Sequence, residues 1–179
     1  GYTVFNVDQI EGLPEGFYAV PEPILDTVER DAATDAFFAA TGADIRHGGT
    51  QAYYAVEPDY VQMPSFETFQ DPESYYATLG HEVTHWTRHP DRLDRSFGRK
   101  RWGDDGYAQE ELVAELGAAF LAADLGLSPE PRADHAAYID NWLRGLRSDT
   151  RYIFQAAAHA QRAVDFLHDL QPDRDEAVA

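Results

Sequence analysis

His81, Glu82 and His85 stand in the run His81-Glu82-Val83-Thr84-His85, an H-E-x-x-H pattern. On a helix, residues i and i+4 leave from one face about one turn apart, so two imidazoles at this spacing reach a single ion. Glu82 lies about 100° round the helix from His81, within reach of a water activated by that ion rather than of the ion itself. The chemistry served by such a set is metal-assisted hydrolysis. A chain with seven histidines can show the pattern by accident. An accidental match has no reason to fall in a helix with a core-facing back, and Tyr75, Leu79, Val83 and Trp86 form that apolar stripe here. The histidines then point away from the stripe, towards another surface or a cleft.

A catalytic zinc site takes three protein ligands and keeps its fourth position for water. The chain has no cysteine, so the third ligand must be His, Asp or Glu. The continuation H-E-x-x-H-x-x-G-x-x-H fails, because Arg88 occupies the glycine place and Asp91 that of the last histidine. A second helical stretch supplies Glu110, Glu111 and Glu115. Glu111 and Glu115 share a face with Ala118, and Ala114 lies beside them, small enough for another helix to approach closely. Glu111 is the expected third ligand and Glu115 the expected acceptor for a ligating histidine, with Glu110 and Glu115 as alternative ligands. The bland alternative is a solvated acidic helix face.

Tyr107, His89 and Tyr54, with Tyr53, are candidate donors to a transition state, although His89 precedes Pro90 where a solvated helix-end histidine is the simpler reading. His47, His135, His159 and His168 have no partner at ligand spacing and read as structural or surface residues. Two imidazoles, one carboxylate and a water are the usual catalytic set of Zn2+, which is the expected ion.

These residues need elements to hold them. Asp71 is a good N-cap with Pro72 at the first helical position, so the motif helix should run to about Arg88. The second helix spans Tyr107 to Leu125 and closes at Gly126. Two more are expected at about His135 to Arg147 and Arg151 to Leu170. Before the motif, a helix following Pro23 carries Ile24, Leu25, Val28, Phe37 and Phe38 and stops at Gly42. Residues 43–46, 51–56 and 60–63 are short strand-like runs, separated by Gly48-Gly49 and Glu57-Pro58-Asp59, and read as a small antiparallel sheet. A further strand opens the chain at Tyr2 to Val7 and runs into a Gly/Pro connector at 11–16. Strands first and helices after define an α+β fold.

The whole-chain arithmetic agrees with an enzyme-sized unit. With 179 residues, 44% of them hydrophobic, one core of ordinary size is expected. The 14 basic against 32 acidic residues give a formal charge of -18. That balance opposes binding to nucleic acid phosphates and to anionic membranes. No apolar run approaches a membrane span. The start at Gly1-Tyr2, with Met63 as the one methionine, reads as a piece of a longer protein.

The segments Thr78-Leu79-Gly80-His81-Glu82-Val83-Thr84-His85-Trp86-Thr87, Arg92-Leu93-Asp94-Arg95 with Phe97-Gly98, and Tyr107 to Leu121 resemble the metallopeptidase domain of ArdC-type antirestriction proteins. That family includes the zincin-like domain of phage and plasmid polyvalent proteins. Tyr53-Tyr54, Asp59 and Met63-Pro64 match as well, and Val4 to Gln9 resembles the end of the family's preceding single-stranded-DNA-binding domain. The likeness covers most of residues 1–126. It implies a zincin-like fold with a small antiparallel or mixed sheet packed on the active-site helix and several further helices. It implies His81 and His85 as ligands, Glu82 as catalytic base and a glutamate of the second helix as third ligand. The Glu-Leu-Val-Ala run at Glu111 resembles the Glu-x-x-Ala of gluzincin-like families, favouring Glu111 over Glu110.

The expected domain runs over residues 17–170, after the end of a preceding domain at 1–16 and before an acidic tail at 171–179. The expected function is zinc-dependent hydrolysis of a peptide bond in a protein substrate, in the setting of plasmid or phage antirestriction and in the bacterial cytoplasm. DNA is expected as a partner only through the preceding domain, and no membrane is. The alternatives are a non-proteolytic antirestriction domain acting by binding or shielding, and a zinc site that only ties two helices together.

Overall fold

The computed structural model describes Gly12 and residues 30–98, 105–127 and 151–172. The opening strand, most of the connector, residues 23–29 of the first helix, the helix at 135–147 and most of the acidic tail lie outside those residues. Helix α1 (Ala32–Ala40) starts later than Pro23. Asp31 is extended, and its carboxylate accepts from the Thr34 amide at 2.7 Å, which sets the helix start there. The helix stops at Gly42, whose φ of 71° turns the chain out.

Strands β1 (Ile45–His47), β2 (Tyr53–Ala55) and β3 (Tyr60–Met63) form one sheet in the order β1-β3-β2. The antiparallel reading holds for one pair alone. β2 and β3 are an antiparallel hairpin, with Tyr54 opposite Val61, whereas β1 runs parallel to β3, with Ile45 opposite Val61. Gly48 and Gly49, at φ 135° and 69°, do not close a hairpin back onto β1. They begin a five-residue passage, 48–52, that carries the chain past β3 so that β2 pairs on its far side and becomes an edge. Val61 and Met63 point inwards and are fully buried.

Helix α2 (Pro72–Trp86) lies against the inner face of the sheet. The Asp71 carboxylate caps it through the Ser74 amide at 2.6 Å, with Pro72 in the first turn. Every residue from Tyr75 to Thr87 is buried. The stripe Tyr75, Leu79, Val83 and Trp86 packs in the main core with Phe37 and Phe38 of α1, Val61 and Met63 of β3, and Leu121 further on. A helix buried all round is ordinarily apolar. This one carries Thr78, His81, Glu82, Thr84 and His85 in its buried span, and such groups are costly unless paired. The threonines are satisfied within the helix, Thr78 by the Ser74 carbonyl and Thr84 by that of Gly80. The histidines depend on α3.

Helix α3 (Asp105–Asp124) runs antiparallel to α2 and is backed by α4 (Arg151–Asp169), where Leu112 and Val113 meet Ala156 and Ala160. The closest approach is at Gly117. A methyl group there would stand 2.6 Å from the Thr84 Cγ2 atom, so this crossing requires glycine. No described helix is long and apolar enough to cross a membrane.

Candidate metal centre

The α2–α3 crossing brings His81, His85 and Glu111 together. The two Nε2 atoms face each other at 3.2 Å. The Glu111 carboxylate closes the third side, with Oε2 3.6 Å from His81 Nε2 and Oε1 3.6 Å from His85 Nε2. Four-coordinate donors about 2.0–2.1 Å from one ion lie about 3.3–3.4 Å from one another, by the geometry of a tetrahedron. The three separations bracket that value, so the donor set fits a divalent ion. All three residues are more than nine-tenths buried.

The other ring nitrogens are held from behind. His85 Nδ1 lies 3.0 Å from Glu110 Oε1. Arg95 grips the same carboxylate with two parallel bonds, Nε to Oε2 at 2.9 Å and Nη2 to Oε1 at 2.8 Å. Burial alone would raise the Glu110 pKa, but Arg95 and His85 override it and hold the carboxyl down at about 2. An ionised carboxylate can only accept, so His85 Nδ1 carries a hydrogen, and Nε2 is the nitrogen left to give its lone pair to an ion once its own proton is displaced. His81 Nδ1 lies 3.3 Å from Glu115 Oε1, yet the carboxylate is off the direction of a hydrogen bond and this nitrogen makes none.

In the absence of an ion the imidazoles hold protons tightly. Burial by itself would lower the His85 pKa, but Glu110 and Glu111 outweigh it and carry it up to about 10. His81 is raised in the same way by Glu111 and Glu115 against its burial. Burial opposes ionisation of Glu111, and the two histidines nonetheless draw it well below the usual carboxylate range.

Glu82 also lines open space. It is the one motif residue on the wall of a cleft of about 560 Å³, lined also by Ala52, Tyr53, Pro64, Phe69 and Thr78. Tyr53 opens edge strand β2 and Ala52 directly precedes it, so the cleft runs between the start of β2 and helix α2.

The remaining candidates are scattered. Tyr54 donates to Asp59 Oδ1 at 2.7 Å and accepts from Arg92, so its proton is engaged away from the donor cluster. Burial and Asp59 push that phenol well above its ordinary value. Tyr53 is exposed, its hydroxyl 3.2 Å from that of Tyr60. His89 Nδ1 accepts from the Asp91 amide in the loop beyond α2, and Tyr107 is half-buried in the first turns of α3. Among the other histidines, His47 bonds Tyr75, His159 packs edge-on against Phe97, and His168 meets Asp124. His135 lies outside the described residues.

Sequence reasoning assigns Arg95 no role and reserves Glu110 as a spare ligand. The family resemblance includes Arg95 only within the run Arg92-Leu93-Asp94-Arg95 and gives it no task. The significance of Arg95 comes from the loop 87–98, which folds back on the end of α2 through Leu93 N to Thr87 O and Arg95 N to Arg88 O.

A fold of this kind, with its helix-borne His/His/Glu cluster, defines a zincin-like metallopeptidase class. The family model for zincin-like metallopeptidases matches residues 32–159, and the chain belongs to that family. Its solved relatives include the antirestriction protein ArdC from plasmid R388. The Mn(II)-bound crystal structure of ArdC superimposes with a TM-score of 0.74 at 47% identity, over 97% of this chain and 63% of that one. The metal-free form gives 0.72 at 50% identity, over 95% and 60%. Two relatives in sequence are the uncharacterized protein y4eC of Sinorhizobium fredii, 49% identical over 97% of the chain, and the DNA primase TraC of Escherichia coli, 42% identical over 92%. The chain spans 55% of the length of the first and 15% of the second.

Proposed function

We propose that this domain is a zinc-dependent peptidase that cleaves a peptide bond in a protein substrate, with His81, His85 and Glu111 as ligands and Glu82 as general base. The observation that carries the reading is the pairing of a buried three-donor cluster with a carboxylate, one residue away, that opens into a cleft along a sheet edge with no further strand among the described residues. Zn2+ held by those donors would act as a Lewis acid, polarising the scissile carbonyl and acidifying water. An extended peptide lies along β2 and adds a strand to the edge, its backbone held by main-chain hydrogen bonds. Glu82 accepts the proton of the attacking water and returns it to the leaving amine. Glu110 holds His85 from behind, and Glu115 stands beside the Nδ1 atom of His81.

The test is Glu82→Gln in the zinc-loaded protein, assayed for cleavage against a peptide library read by mass spectrometry. Bound zinc should stay at one per chain while turnover falls by about 10²–10⁴-fold, the range for loss of a general acid–base group. A variant that cleaves as well as wild type overturns the mechanism.

The similarity to a protein named for antirestriction favours a second reading, in which the domain protects DNA by binding rather than by proteolysis. With a formal charge of -18, contact with DNA would then run through the preceding single-stranded-DNA-binding domain. Survival of restriction protection in cells carrying Glu82→Gln would select it.

A further inference from the structure

We infer that Arg95 is a positioning residue of the metal centre, acting through Glu110 to fix which nitrogen of His85 faces the ion and in what direction. This inference rests on the metal-site reading above and extends it beyond the ligands. Arg95 is only 5% exposed, and the structure gives its guanidinium four hydrogen bonds. Two go to Glu110, one from Nη2 to the Thr84 carbonyl at 3.0 Å, and one from Nη1 to the Thr87 hydroxyl at 3.0 Å. Thr84 lies within the motif itself and Thr87 caps the same helix.

The fork is thus referenced to the backbone of the helix that bears the histidines, and it holds a carboxylate carried by the other helix. A planar guanidinium bound by both nitrogens leaves Glu110 no freedom to rotate. Glu110 Oε1 in turn takes the Nδ1 hydrogen of His85. The chain Thr84–Arg95–Glu110–His85 therefore closes on itself around one turn of α2. It sets the imidazole from outside the donor cluster. A loop tether alone would need one such bond. Here the same carboxylate is shared between the arginine and the ligand candidate.

The experiment uses the 179-residue chain as it is. Co2+ serves as the probe, because its visible spectrum reports ligand geometry directly. Wild type, Arg95→Met, Arg95→Lys and Glu110→Gln are titrated with Co2+ against a chelator. The melting temperature of each chelated protein is recorded beside the titration. Arg95→Met should bind Co2+ about 10–100-fold more weakly, the range for loss of a group supporting a ligand, with a shifted visible band. Arg95→Lys should fall between it and wild type, since a point charge restores attraction without the fork. Glu110→Gln keeps the side-chain volume and loses the ionic grip, and it should match Arg95→Met. If the arginine variant does not fold, Glu110→Gln decides the question in its place. Lowered melting temperatures with wild-type Co2+ affinity and spectrum would make Arg95 a tether and overturn the inference. Absence of Co2+ binding by wild type would instead overturn the metal-site reading, and this inference with it.

Discussion

Glu111 and Glu115 stand one helical turn apart against the same imidazole, yet they face different nitrogens of it. Glu111 lies on the Nε2 side, where His85 also converges, and Glu115 lies on the Nδ1 side. Their replacements should therefore separate. Glu111→Gln should abolish retention of zinc through desalting. Glu115→Gln should keep one zinc per chain with affinity lowered by at most about 10-fold, because its carboxylate stands beside His81 Nδ1 without a hydrogen bond to it. Metal analysis of the loaded, desalted proteins decides, and zinc lost only from the Glu115 variant would move the ligand one turn along α3. At this scale the motif residues are legible in sequence, because i and i+4 on one helix need no partner to define their geometry. The division of roles among Glu110, Glu111 and Glu115 is less legible. Residues about 100° apart on a helix exchange places when the facing helix rolls by a fraction of a turn. That roll is set by where Thr84 meets Gly117, which no spacing rule contains.

The elements are arranged so that two contacts set the site. One is the α2–α3 crossing. An added methyl at Gly117 would stand within 2.6–2.7 Å of the Thr84 side-chain Cγ2 and Oγ1 atoms, and Thr84 cannot swing freely because its hydroxyl bonds the Gly80 carbonyl. Gly117→Ala should therefore cost about 1–3 kcal/mol by overpacking. Each kcal/mol lowers the melting temperature of a chain this long by about 2–4 °C. The same variant should bind metal more weakly, because pushing α3 outward carries Glu111 away from the imidazoles. Calorimetry and a metal titration on one preparation check both effects, and normal stability with normal binding would show that the crossing has slack.

The second contact is the hairpin strap. Arg92 stacks on Trp86, bonds its carbonyl and pairs with Asp59 at the turn between β2 and β3. This pins the edge strand to the end of the motif helix. Helix positions are readable from caps and stripes, as at Asp71 and the series Tyr75, Leu79, Val83 and Trp86. The strand order is not readable, because parallel pairing of β1 with β3 depends on how a five-residue passage crosses the sheet rather than on strand composition.

For the molecule as a whole, the same unit recurs in hosts of different size, filling 63% of the ArdC chain and 15% of TraC. If His81, His85 and Glu111 hold zinc as proposed, ion binding should add to the stability of this fold. An ion that binds the fold and not the unfolded chain adds about 2.7 kcal/mol at a hundred-fold excess over Kd. At about 2–4 °C per kcal/mol, zinc should raise the melting temperature by about 5–10 °C over the chelated protein. The increment should depend on pH in one direction. In the ion-free fold the pKa of His85 is raised from 6.5 to about 10. A raised pKa stabilises that fold fully below about 6.5, and the contribution is lost as pH climbs towards 10. The loaded fold has already surrendered the proton and is spared this loss. Zinc stabilisation should therefore be smaller at pH 6 than at pH 9, measured by thermal melts of loaded and chelated protein in matched buffers. An increment that shrinks with rising pH would mean that zinc and protons do not compete for these imidazoles, and that the ion binds elsewhere on this acidic chain.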